Sequence, residues 1–176
     1  LLDLSRLQSG TIALTKQRMD VQEILYDVAQ RYESAAQERG LSIRLNVADP
    51  FPEVYGNPDR TEQVLIILLD NAIKHGSADE PLALGAEISG DKVLVHVSNA
   101  GTIAEEDIAH LFERFYKADR SHSGEGTGLG LSIAQEIMSL LDEKIWAQNR
   151  NGRVEFTFTL SLMHKNQRNS WGYHRK

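Results

Sequence analysis

Apolar residues recur at helical spacing in several separated stretches of this chain, and alternating stretches lie between them. Leu1, Leu4 and Leu7, with Leu2 beside them, form a short stripe that stops near Gly10. A stripe this short reads as the end of a helix whose partner lies elsewhere. Ile12 to Leu14 suggests a brief strand. Asp20 followed by Glu23 is a capping pattern, and Val21, Ile24, Leu25, Val28, Tyr32 and Ala35 continue on one helical face until Gly40. Leu41 to Val47 alternates as a half-buried strand. A proline-rich turn, Pro50 to Pro58, leads to Asp59 and Glu62, which predict a second capped helix over 59–75. Leu82–Ser89 and Val93–Ser98 read as strands around Gly90-Asp91. Helices are expected over 105–115 and 127–141, and strands over 144–148 and 153–162 around Asn151-Gly152.

Helices and hairpin-linked strands in this order predict an α/β (α+β) two-layer sandwich: a mixed, mostly antiparallel sheet covered by three helices. The chain divides into a helical stub (1–11), a core (12–162) and a basic, aperiodic tail (163–176). The chain starts within an apolar pattern and without Met, so it reads as a fragment.

Composition narrows the function. The 176 residues suit one domain, with 41% hydrophobic and 25% charged content. No cysteine is present, which removes disulfides, zinc–thiolate sites and thiol nucleophiles. A net charge of -6 argues against a nucleic-acid partner. No run approaches the ~20 apolar residues of a membrane span.

Three segments carry candidate chemistry. In the helix over 59–75, Val64, Leu65, Leu68, Leu69 and Ala72 form the core stripe, while Asn71, Lys74 and His75 gather at its C-terminal end. An Asn amide oxygen suits Mg²⁺, a hard cation that takes oxygen ligands, and Lys74 suits phosphate. The same residues would equally solvate a last helical turn. Gly126-Thr127-Gly128-Leu129-Gly130 opens a helix, where free N–H groups favour an anion. A purely structural turn has the same composition, and neither a dinucleotide fingerprint nor a P-loop is complete there. Phe112-Glu113-Arg114-Phe115-Tyr116 anchors a core or hinges the polar stretch 117–124, from which Lys117 and Arg120 reach phosphates.

Taken together, these segments resemble the N, F and G2 boxes of the catalytic ATP-binding domain of a sensor histidine kinase, a member of the Bergerat-fold ATPase superfamily. Leu2 to Gly10 resembles the end of that family's dimerisation helix, and Asn57-Pro58-Asp59-Arg60 its approach to the N box. The resemblance implies an enzyme that binds ATP and Mg²⁺, with Asn71 as metal ligand and Asn71, Lys74 and Arg114 as catalytic residues. It implies nucleotide contacts from His75, Asn99, Gly101, Ile103, Phe112, Tyr116, Lys117, Arg120, Gly126, Thr127, Gly128, Leu129, Gly130 and Leu131. Implied partners are a dimerisation and phosphoacceptor domain of the same protein and a cognate response regulator. The intact protein would be a homodimer, its catalytic domain cytoplasmic and its anchor in a bacterial membrane. Without the dimerisation helices, a monomer that does not autophosphorylate is expected.

The chain also departs from the family. Ser98-Asn99-Ala100-Gly101-Thr102-Ile103 stands where the G1 box carries Asp-x-Gly-x-Gly. Asn99 replaces the adenine-reading Asp, the second glycine is missing and the loop is one residue shorter. A neutral acceptor makes the weaker bond, so weakened adenine binding is expected. Ile67 stands where related hydrolysing ATPases place a water-activating Glu, which disfavours direct hydrolysis. Asp142-Glu143 replaces a family Gly-Gly. None of the six histidines has the phosphoacceptor context. The alternatives are a non-catalytic nucleotide-sensing or partner-binding module of the same fold and a hydrolysing ATPase of the gyrase–chaperone type.

Overall fold

The computed structural model describes residues 14–117 and 128–163. The expected stub (1–11) and the tail beyond Met163 lie outside the described residues. Helix α1 (Val21–Glu38) starts at Asp20, whose side chain accepts from the Glu23 N–H at 3.1 Å. It buries Val21, Leu25, Val28 and Ala36. The stripe thus ends on Ala36, while Ala35 faces solvent. The helix closes with Gly40 N–H on Gln37 O and Leu41 N–H on Ala36 O, and Leu41 folds back into the core.

Helix α2 (Pro58–His75) is capped two residues earlier than its sequence suggests. Asn57, not Asp59, is the cap: its side chain accepts from the Arg60 N–H at 3.0 Å, and Pro58 occupies a first-turn position that needs no N–H donor. Glu62, expected in the capping box, pairs instead with Arg31 of α1. Thr61, Val64, Leu65, Leu68, Leu69, Ala72 and Ile73 are buried along α2.

Among the described residues seven strands form one sheet: β1 (Gln17–Met19), β2 (Ile43–Val47), β3 (Val54–Gly56), β4 (Leu82–Ser89), β5 (Lys92–Ala100), β6 (Ile145–Arg150) and β7 (Arg153–Leu162). The order is β1-β3-β7-β5-β4-β2, with β6 also on β7. All pairings are antiparallel except β2 with β4. One edge of β7 is divided: β6 pairs with residues 153–158 and β3 with 161–162, while β5 runs along the other edge.

Two strands differ from expectation. The first described strand is Gln17–Met19; of the strand expected over 12–14, residues 12 and 13 lie outside the described residues and Leu14 is not in a strand. The proline-rich turn contains β3, because Val54 and Tyr55 find partners on β1 and β7. Met163, expected to begin the tail, is buried and donates to Glu53 O.

Alternation puts Val93, Val95, Val97 and Asn99 of β5, and Val154, Phe156, Phe158 and Leu160 of β7, on the face packed against the helices. There α2 is the middle helix, touching α1 on one side and, on the other, α4 (Gly130–Leu140). The opposite face carries His96, which contacts Thr157 and Glu87.

The helix expected over 105–115 is shorter. Helix α3 covers only Glu105–Ile108, and the chain then continues in i→i+3 turns, with His110 N–H on Asp107 O and Glu113 N–H on His110 O. Burying Leu111 while setting Phe112 against Phe156 and turning at Phe115 (φ 65°) is incompatible with a continued α-helix. Helix α4 likewise starts at Gly130 rather than 127, because Gly128 has φ 72°.

Candidate functional site

Helix α2 delivers Asn71, half-buried, near its C-terminal end, with Lys74 and His75 exposed in the last turn. Gly76 N–H closes that turn on Ala72 O. Asp70 precedes Asn71, and its carboxyl is pushed above the usual carboxylate range by burial, against the opposing pull of Lys74.

One turn earlier on α2 stands Ile67. A Cβ at Gly130 would lie 3.4 Å from its Cγ2, so α4 begins directly against the Asn71 helix. The N-terminal end of α4 is unlike those of α1 and α2. Leu129 stands at the cap position without a side-chain hydrogen bond, and no acidic residue occupies the first turn. The first N–H groups and the positive end of the helix dipole are thus unclaimed by a capping side chain. Leu131 and Leu129 are half-buried there, and Ser132 Oγ donates to Leu129 O at 2.8 Å.

The aromatic segment is tied to the same glycines. Phe115 N–H donates to Gly128 O at 2.9 Å, and a Cβ on Gly128 would come within 2.8 Å of the Phe115 Cα and carbonyl carbon. Phe112 lies edge-on to Phe156, with ring centroids 6.0 Å apart. Tyr116 donates its hydroxyl to Asp107 and packs against the His110 ring. Arg114 is exposed and Lys117 half-buried. Arg120, Gly126 and Thr127 lie outside the described residues.

Asn99, the penultimate residue of β5, is on the helix-facing side and is 3% exposed. Its Nδ2 donates to Ala100 O at 3.0 Å, which turns the amide so that Oδ1 is the group left to accept. Gly101 follows in the loop and donates its N–H to Gly152 O at 3.0 Å. Ile103, half-buried, ends the loop. The structure therefore brings the α2, β5 and α4 candidates to one end of the sandwich, with the aromatic segment alongside.

Two residues absent from the sequence reading belong to this end. Asp107 receives Tyr116, and Asn149 of β6 bonds to both the N–H and carbonyl of Ile103. Neither leaves a sequence signal, since each depends on contacts made after folding. Among the described residues no cluster of three or more metal-ligating His, Cys, Asp or Glu occurs, and no helix is long and apolar enough to cross a membrane.

Sensor kinases share this build. VanS of Enterococcus faecium, a sensor protein, is 28% identical over 163 residues, covering 92% of this chain and 42% of VanS. The catalytic domain of the histidine kinase ThkA superposes with a TM-score of 0.75 at 28% identity, over 85% of this chain and 97% of that one. Full-length ShkA in complex with AMPPNP gives 0.79 at 27% identity, over 90% of this chain and 34% of that one. The chain spans less than half the length of curated relatives it matches, VanS among them. A family profile described as histidine kinase-, DNA gyrase B-, and HSP90-like ATPase matches residues 56–164, more than half of the chain. The chain belongs to this ATPase family, on its histidine kinase side.

Proposed function

We propose that this domain binds Mg²⁺–ATP between α2 and the N-terminal end of α4 and passes the γ-phosphoryl group to a histidine on a dimerisation domain. An aspartate of a response regulator would receive it next. The observation that carries the reading is the uncapped start of α4 placed against the helix of Asn71. Such a helix end holds phosphate through backbone N–H groups, and a half-buried Asn nearby supplies a neutral oxygen of the kind Mg²⁺ accepts. The AMPPNP held by ShkA supports a nucleotide at this fold.

Each candidate takes a role under this proposal. Asn71 would hold Mg²⁺, whose charge offsets that of the β- and γ-phosphates. Lys74 and Arg114, together with His75, Lys117 and Arg120, would offset further phosphate charge. Gly126 to Leu131 would supply the backbone cradle. Asn99 Oδ1 would accept from the adenine amino group, with Gly101 and Ile103 shaping that end and Phe112 and Tyr116 its flank. In the transfer, an imidazole nitrogen attacks the γ-phosphorus. A P–N bond forms, the bond to the β,γ-bridging oxygen breaks, and ADP leaves. Ile67 gives no base to activate water, so positioning of the acceptor decides the outcome. The partner domain and regulator make the protein one half of a phosphorelay, and its ATP requirement puts the domain on the cytoplasmic side of a membrane-anchored sensor.

Calorimetric titration with ATP, in Mg²⁺ and in EDTA, tests the site. Binding strengthened by Mg²⁺ is expected, and addition of the dimerisation domain should yield labelled phosphohistidine. Folded protein that binds no ATP in either buffer would overturn the proposal.

A further inference from the structure

The loop after β5 is gripped by the β6–β7 hairpin at successive points. Arg153 donates to Ser98 Oγ at 3.0 Å, to Ser98 O at 3.1 Å and to Pro81 O at 2.7 Å, ahead of the loop. Gly152 O takes the Gly101 N–H within it. At its far end Asn149 Oδ1 accepts from the Ile103 N–H at 2.9 Å, and Nδ2 donates to Ile103 O at 2.6 Å and to Glu105 Oε1 at 3.3 Å. The carboxamide thus pairs with the backbone of Ile103 as a neighbouring strand would, across 46 residues of sequence.

Register makes this more than a local tie. Val154 of β7 is the partner of Asn149 on one side and of Asn99 on the other. The two asparagines therefore stand in one row across three strands, on the helix-facing side, about 10 Å apart at two strand spacings. Asn149 has both amide hydrogens and its oxygen engaged, so it is built to hold rather than to read a ligand. What it holds is a loop that lacks one residue and one glycine, with Asn99 at its root.

We propose that Asn149 is a positioning residue for base recognition: it fixes the shortened loop so that Asn99 keeps its acceptor aimed at the base. This rests on the nucleotide reading above. Adenine offers an exocyclic amine to such an acceptor, whereas hypoxanthine offers a carbonyl oxygen at the same place. A domain that reads the base through Asn99 therefore prefers ATP to inosine triphosphate, and the preference depends on Asn149.

The test compares the full chain with Asn149→Ala, Asn149→Asp and Gln148→Ala, the last on the opposite sheet face. Affinities for ATP and inosine triphosphate are measured in Mg²⁺, together with hydrogen exchange of the Ile103 amide in the free protein. Asn149→Ala should speed exchange at Ile103 tenfold or more. It should weaken ATP about tenfold and leave inosine triphosphate within twofold, collapsing the preference. Asn149→Asp keeps an acceptor for the Ile103 N–H but sets a carboxylate oxygen against Ile103 O and Glu105, so it should speed exchange at Ile103 as Asn149→Ala does. Gln148→Ala should change neither. Unaltered exchange at Ile103 in Asn149→Ala, or equal weakening of both nucleotides, would overturn the proposal. Wild-type protein that binds neither nucleotide, or both equally, would overturn the reading of the site itself, with the exchange result still reporting whether Asn149 holds Ile103.

Discussion

Replacing Gly128 by Ala tests the contact that joins the aromatic segment to the start of α4. Gly152 provides its internal standard. The two glycines have nearly the same backbone angle, φ 72° and φ 74°. An L side chain in that region costs about 1–2 kcal/mol at either position. At Gly152 a Cβ meets nothing within 4 Å, so the backbone cost is the whole effect. At Gly128 the Cβ would lie 2.8 Å from two Phe115 backbone carbons, against an optimum of about 3.5–4.0 Å. Phe115 must then withdraw by roughly 1 Å, which breaks its hydrogen bond to Gly128 O and adds about 1–3 kcal/mol. Gly128→Ala should therefore cost about 2–5 kcal/mol against about 1–2 for Gly152→Ala. With about 2–4 °C lost per kcal/mol in a domain of this size, thermal melts followed by circular dichroism resolve the difference. Nucleotide affinity should fall tenfold or more in Gly128→Ala and stay within twofold in Gly152→Ala. Two variants that melt within a degree of each other and bind nucleotide alike would refute the reasoning.

Other perturbations have equally direct expectations. Asn71→Ala should remove the Mg²⁺ dependence of ATP binding seen by calorimetry, and unchanged dependence would reassign the metal. Glu143 is fully enclosed and paired with Lys92, which also reaches Ser161 Oγ at 2.9 Å. Lys92→Met strands that carboxylate and should cost about 2–3 kcal/mol in a denaturant titration, less than a wholly buried pair because Lys92 is partly exposed. Lys92→Met combined with Glu143→Met should regain most of it. Asp70 has its carboxyl raised above the unfolded value, so the native state holds its proton more tightly than the unfolded one. Its contribution to stability therefore declines as pH rises past the unfolded carboxylate range. Asp70→Asn should raise the melting temperature at pH 7, with the gain vanishing below about pH 4, the unfolded carboxylate value. A gain of equal size at both pH values would sink that account.

The helices were legible where a cap, a stripe and a stop agreed. Asp20, the Val21-to-Val28 stripe and Gly40 are local signals, and α1 follows them. The 105–115 segment misled because Ile108, Leu111, Phe112 and Phe115 imitate helical spacing, while Phe115 takes a left-handed turn to meet Gly128. Strand β3 was hidden by flanking prolines and exists through β1 and β7. Asn71 and Asn99 became candidates by resemblance, since their surrounding motifs are contiguous in sequence. Asn149 was not, because an Asn in a strand has no pattern until the register beside Val154 sets it opposite the loop.

The placement of β7 governs when this domain is able to fold during synthesis. Among the described residues it is the last strand made, yet it lies between β5 on one edge and β6 and β3 on the other. A nascent chain ending at Arg150 has β6 without its partner, the β1–β3 ladder detached from the rest of the sheet, and one full edge of β5 open. Such an edge invites pairing with another chain. The described sheet closes only once Leu162 has left the ribosome, so until then the open edge of β5 is exposed to association.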